Sequence, residues 1–185
     1  MEIVIILGLI FFNGILSMSE IAMVSARKSR LETAAKKGSK TAKTALRLAN
    51  EPDRFLSTIQ IGITLIGILT GLYSGEALAG DLARWLETIG IPQAHSLTLA
   101  KGIIVILVTY LTLILGELVP KHLGMNAPEK IARLIARPME VLSKIASPFV
   151  WLLSASTQAV IRLTGLHTST ENKVTEEEIK AIIQE

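Results

Sequence analysis

From Leu99 to Lys121 the chain reads LAKGIIVILVTYLTLILGELVPK, and this stretch decides the fold. The run from Leu99 to Val119, ended by Pro120, is near the ~20 apolar residues a helix needs to cross a hydrocarbon core of roughly 30 Å. Two similar runs precede it, Ile3 to Val24 and Phe55 to Ala79. Only Glu2 stands before the first run, with no basic n-region, so it reads as a retained helix and not a signal peptide. Half of the 185 residues are hydrophobic, only 19% are charged, and the mean hydropathy is +0.49. Clustered apolar runs in such a composition predict an all-α integral-membrane domain with three transmembrane helices.

Charge sets the direction. Between the first two spans lie Arg27, Lys28, Arg30, Lys36, Lys37, Lys40, Lys43, Arg47 and Arg54, against only Glu32, Glu51 and Asp53. The second connection is balanced, with Arg84 and Lys101 against Asp81 and Glu87, and Lys121, Lys130, Arg133 and Arg137 follow the third span. The positive-inside rule places the first and last of these segments in the cytosol of a multi-pass plasma (inner) membrane protein, N-terminus outside and C-terminus inside. The basic segment holds no aromatic residue before Phe55, so it reads as cytosolic juxtamembrane helix against anionic lipid and not as a nucleic-acid surface.

The stretch 138–165 is apolar but contains Lys144, Arg162 and Pro148, and a fourth crossing there would carry the acidic tail outside. An amphipathic interfacial helix is expected, with Trp151 at headgroup depth. The membrane domain thus covers 1–166. Residues 167–185 read as a cytosolic linker, and Thr175 with Glu178 forms a capping box opening a further helix. Cysteine is absent, which excludes disulfides, thiolate metal sites and cysteine nucleophiles. His95, His122 and His167 lie in separate segments and form no ligand spacing.

Polar residues inside the spans carry the functional signal. Asn13, Ser17 and Glu20 recur at helical spacing on one face of the first span. Gln60, Thr64, Gly67, Gly71 and Gly75 form a stripe on the second; the glycines have the spacing of a close helix-packing motif, and the polar pair has the chemistry to bond across helices. In the third, Glu117 follows Gly116 and precedes Pro120, roughly 22 Å from the outer end at 1.5 Å per residue. A carboxylate at that depth costs on the order of 3 kcal/mol unless it has a partner. Pro120 lacks an amide donor and frees the carbonyl of Gly116. Carboxylate, carbonyl and hydroxyl oxygens without His or Cys suit Mg²⁺, Ca²⁺, Na⁺ or Mn²⁺, and a carboxylate pair in a membrane cavity equally suits an organic ammonium group. The plainer alternatives put Glu117 at the interface beside Lys121, and Glu20 there beside Arg27 or Lys28.

Ser17-Met18-Ser19-Glu20-Ile21-Ala22, Thr58-Ile59-Gln60-Ile61-Gly62 and Gly116-Glu117-Leu118-Val119-Pro120-Lys121 resemble, in order and spacing, the signatures of the CorC/CNNM transmembrane domain. The resemblance covers nearly the whole chain. It implies magnesium or cobalt transport or efflux, in a group that includes haemolysin-like proteins and a polyamine exporter. It further implies a homodimer, a belt-like interfacial helix, and a following pair of nucleotide-binding CBS domains. Carried over to this sequence, the ion ligands are Ser17, Ser19 and Glu117. The asparagine that magnesium-transporting relatives carry in the second span is missing here, where Gly62 is followed by Ile63 and Thr64. Thr64 offers a weaker oxygen in its place.

The expected function is therefore efflux of Mg²⁺ or another divalent cation, by a homodimer in the lipid bilayer, with no nucleic acid involved. Nucleotide belongs only to the following cytosolic domain. The alternatives are an organic-cation (polyamine) exporter, and a membrane anchor and dimerisation module for a cytosolic sensor. Metalloprotease, serine-hydrolase and P-loop motifs are absent, so no enzyme is expected.

Overall fold

The computed structural model describes residues 1–164, and all its regular structure is helical. Calls on 167–185 lie outside the described residues. The first helix, α1, runs Glu2–Ser25. Two short helices follow, α2 (Lys28–Lys36) and α3 (Lys40–Asn50), joined at Gly38, whose φ of +91° favours glycine. Ser39 caps α3 by accepting from the Ala42 amide at 3.2 Å. The basic segment is thus a helical hairpin. Its small apolar face, Leu31 with Ala42, Ala45 and Leu48, is buried while its lysines point outward.

The helix α4 spans Pro52–Thr88, started by Pro52 at its first position. At about 1.5 Å per residue it is far longer than a hydrocarbon core is thick. Its distal end carries the Arg84–Asp81 ion pair. There α4 is tied to the next helix by Ser96, which donates to Glu87 at 2.7 Å. That next helix, α5 (Gln93–Leu113), passes into a π-helical turn, Ile114–Leu118, and then into α6 (Val119–Asn126). The sequence reading ended the third span at Pro120. Instead the helix continues through Pro120 to Asn126, because the wider turn ahead of the proline makes room for its ring.

Three helical stretches, Glu2–Ser25, Pro52–Thr88 and Gln93–Asn126, are long and apolar enough to cross a membrane. Only 17% of the most apolar window of the third is buried, and Phe11, Leu72 and Ile106 stand outward. Such a surface is stable against lipid and not against water.

The last helix, α7, runs Pro128–Leu163 and so begins ten residues before the expected 138–165. Pro138 and Pro148 lie within it. Residues Met1–Ser147 form one compact unit and the chain from Pro148 forms another. Within the first, Ala132, Ile135, Ala136 and Met139 line the buried face of α7 and join a core with Leu16, Met23, Leu31, Phe55 and Ile59. Arg30–Glu129 and Arg47–Glu140 ion pairs fasten the α2–α3 hairpin to α7. Beyond Pro148, Trp151, Leu152 and Val160 are all exposed.

Candidate functional site

The helix α1 meets the third span along a seam of glycines. A methyl at Gly14 would stand 2.9 Å from Pro120 Cγ and 3.1 Å from the Leu115 carbonyl oxygen. At Gly116 it would stand 3.2 Å from the Ile10 carbonyl oxygen, and at Gly124 2.8 Å from that of Met18. The approaches at Gly14 and Gly124 are closer than real methyl contacts come and that at Gly116 is tight, so glycine is what lets the two backbones approach this closely. A fourth close approach, Gly62 to Leu16 Cδ1, joins α4 to α1.

At this seam Asn13 donates from Nδ2 to the Gly116 carbonyl at 3.0 Å, both groups buried. The physical reason lies four residues on. Pro120 has no N–H with which to close an α-turn to Gly116, and the π turn has displaced the local ladder. The side chain of α1 supplies this carbonyl with a donor from another helix. That leaves Asn13 Oδ1 without a partner. One turn along the same face, the Ser17 hydroxyl is likewise buried and unpartnered. Asn13 is 4% exposed and Ser17 1%, so neither oxygen is satisfied by surrounding solvent. Each such orphan costs about 1–3 kcal/mol.

Glu117 leaves the same π turn. Its carboxylate accepts from Lys121 Nζ at 2.7 Å, and its side chain is 40% exposed. Glu20, on the Asn13–Ser17 face, is half-buried and forms no ion pair among the described residues, with Arg27 and Lys28 included. No three His, Cys, Asp or Glu side chains cluster among the described residues, so a cation here would rest chiefly on neutral oxygens.

The structure therefore gathers Asn13, Ser17, Gly116 and Pro120 at one seam, with Glu117 and Lys121 on the turn beside it. Other residues singled out in the sequence lie elsewhere. Ser19 is buried, but its hydroxyl donates to the Ile15 carbonyl at 2.6 Å within its own helix. It stands two residues, about 200°, around α1 from Ser17. Thr64 and Gln60 are exposed, and Thr64 lies two residues beyond Gly62, turned away from the α1 contact. Gly67, Gly71 and Gly75 have nothing within 4 Å of the position a methyl would take, so they pack no helix among the described residues. The buried polar face of α4 is instead Thr58, Thr70 and Ser74, whose hydroxyls bond carbonyls of their own helix. Their spacing from Ile59 and Ile66 is the signal available in the sequence; the glycine stripe lies one residue on, about 100° around the helix.

Residues 4–185 match the family model of the cyclin M transmembrane N-terminal domain. The chain is 46% identical, over its full length, to a UPF0053 protein of Synechocystis, of which it covers 41%. It is 30% identical to the UPF0053 protein YhdT of Bacillus subtilis, again over its full length and covering 40% of that protein. Over 99% of its length it is 29% identical to the polyamine export protein of Escherichia coli, covering 41% of it. The chain thus spans about two-fifths of the length of these relatives.

Proposed function

Since this chain belongs to the cyclin M transmembrane domain family, we propose that it is the membrane part of a cation transporter whose cargo is Mg²⁺ or another divalent cation, exported from the cytosol. One observation carries the reading: among the described residues two buried oxygens, Asn13 Oδ1 and Ser17 Oγ, lack hydrogen-bond partners beside the turn that bears the Glu117 carboxylate. A hard cation satisfies such oxygens, and a carboxylate supplies the opposing charge. In the cation-free state Lys121 is the tethered counter-ion of Glu117. Cargo entering from the basic side displaces that ammonium, takes Glu117 together with Ser17 and Asn13, and leaves when Lys121 returns. Glu20 guides cations toward Ser17. The ion pair keeps the empty site electrically neutral within the apolar layer, where a lone carboxylate is costly.

The same reading makes the domain a transporter and not an enzyme, with the basic hairpin and the C-terminus in the cytosol and the N-terminus outside. It assembles as a homodimer in the inner membrane, and the open face of Gln60, Thr64, Gly67, Gly71 and Gly75 is where a second copy fits. Flux of Mg²⁺ from vesicles holding the full-length protein tests the proposal. Ser17→Ala and Glu117→Gln are expected to lower it about tenfold or more, the scale of a damaged metal site. Equal flux in wild type and both variants contradicts the reading.

A second reading, an organic polycation as cargo, is favoured by the missing asparagine after Gly62 and by the similarity to a polyamine export protein. Glu117-dependent flux of spermidine with no flux of Mg²⁺ selects it. If both substrates are untouched by every variant, the domain is an anchor and dimerisation module.

A further inference from the structure

Away from the seam, α3, the start of α4 and the first half of α7 enclose a cavity of about 200 Å³. Arg47, Arg54 and Lys144 line it together with Glu51 and Glu140, above the buried ring of Phe55. The cations outnumber the acids. Glu140 serves both Arg47 and Lys144, the latter at 3.3 Å. Arg54 reaches only the Ser147 hydroxyl, also at 3.3 Å. Glu51 makes no ion pair among the described residues. Glu140 is tucked in, with its side chain 23% exposed, while those of Arg47 and Lys144 stay 59% and 70% exposed. A guanidinium carries five N–H donors and an ammonium three, so most of the donors around this cavity are unused. A phosphate group, with several oxygens around one centre, matches convergent donors of this kind.

The depth of the cavity narrows the ligand. Arg54 directly precedes Phe55, where the apolar run of α4 begins. On α7, Val141 and Ile145 flank Lys144 and are 57% and 66% exposed. Charge therefore meets apolar surface at the cavity mouth, as it does where lipid headgroups meet acyl chains. We propose that this cavity binds the phosphate of an anionic phospholipid, so that one lipid bridges the α2–α3 hairpin, α4 and α7. The site differs from general attraction of the basic segment to anionic lipid in depending on these three cations and not on charge count.

The test uses the full-length protein in vesicles of equal phosphatidylglycerol and phosphatidylcholine, gently solubilised, with the retained lipids counted by mass spectrometry. The variants are Arg54→Gln with Lys144→Gln in the cavity, and Arg27→Gln with Lys28→Gln as a control that removes the same charge from exposed positions outside it. The cavity variant is expected to lower the ratio of retained phosphatidylglycerol to phosphatidylcholine about thirtyfold, the scale of two charge contacts at a lipid surface, while the control keeps it. Lys144→Gln alone, at an exposed side chain that does not threaten folding, is expected to lower it about fivefold. Unchanged retention in the cavity variants, or an equal fall in the control, overturns the site. No enrichment of phosphatidylglycerol in wild type, with inorganic phosphate raising the unfolding midpoint of wild type and not of the cavity variant, shows a soluble phosphate as the occupant and overturns the lipid assignment.

Discussion

The exchange of a proline's missing donor for an asparagine side chain is open to a double-mutant cycle. Asn13→Leu keeps the volume but removes the donor that reaches the Gly116 carbonyl at 3.0 Å. In wild type that substitution has two opposed effects. It orphans the Gly116 carbonyl, and it eliminates the already orphaned Asn13 Oδ1. Each is worth about 1–3 kcal/mol in a protein interior, so their sum is small and uninformative. Pro120→Ala supplies an amide one α-turn beyond Gly116. In that background Asn13→Leu still eliminates Oδ1 but no longer orphans the carbonyl. The Oδ1 effect appears on both sides of the cycle and cancels, leaving the carbonyl alone. Interhelical hydrogen bonds within membranes average about 0.6 kcal/mol and reach about 1.7, so a coupling of about 1 kcal/mol is expected. Unfolding of the four proteins in mixed micelles measures it. Strict additivity, with a coupling indistinguishable from zero, refutes the claim that Asn13 stands in for the missing amide.

Two further outcomes follow from the packing. Gly124→Ala sets a methyl 2.8 Å from the Met18 carbonyl oxygen and against Ile21 Cγ2, so a loss of about 1–3 kcal/mol is expected. Gly67→Ala meets nothing within 4 Å in the isolated chain and should gain up to ~1 kcal/mol of helix propensity, both read as shifts in unfolding midpoint. At the distal end, Ser96→Ala removes the 2.7 Å bond to Glu87 and should cost about 1 kcal/mol, visible as faster amide exchange at the α4–α5 junction.

The spans were legible because lipid imposes a length and a composition that few other settings require. Ile3–Val24 is a single helix, and the basic segment between Arg27 and Arg54 is helical. The course of the third span through Pro120 was not legible, because local propensity says stop at a proline, whereas the π turn ahead of it makes room for the ring and Asn13 reaches the Gly116 carbonyl from another helix. The closest approaches were missed for a related reason. Gly14, Gly62, Gly116 and Gly124 matter through partners on other helices, which no spacing within one helix reveals. Within the described chain the buried polar face of α4 is Thr70 and Ser74, which no regular glycine spacing announces. The functional seam was half legible. Asn13, Ser17, Gly116 and Glu117 stood out as polar or small groups at depth, whereas Ser19 and Thr64 depended on which way each helix faces.

The central claim, a cation held between α1 and the π turn, is tested most directly by anomalous scattering from Mn²⁺ in crystals of the lipid-embedded protein. The account predicts a peak about 2.0–2.3 Å, the range of hard-cation–oxygen bonds, from Ser17 Oγ, with Asn13 Oδ1 and the Glu117 carboxylate also coordinating and Lys121 displaced. Saturating Mn²⁺ with Glu117 still bound to Lys121, and with no peak beside Ser17, contradicts it.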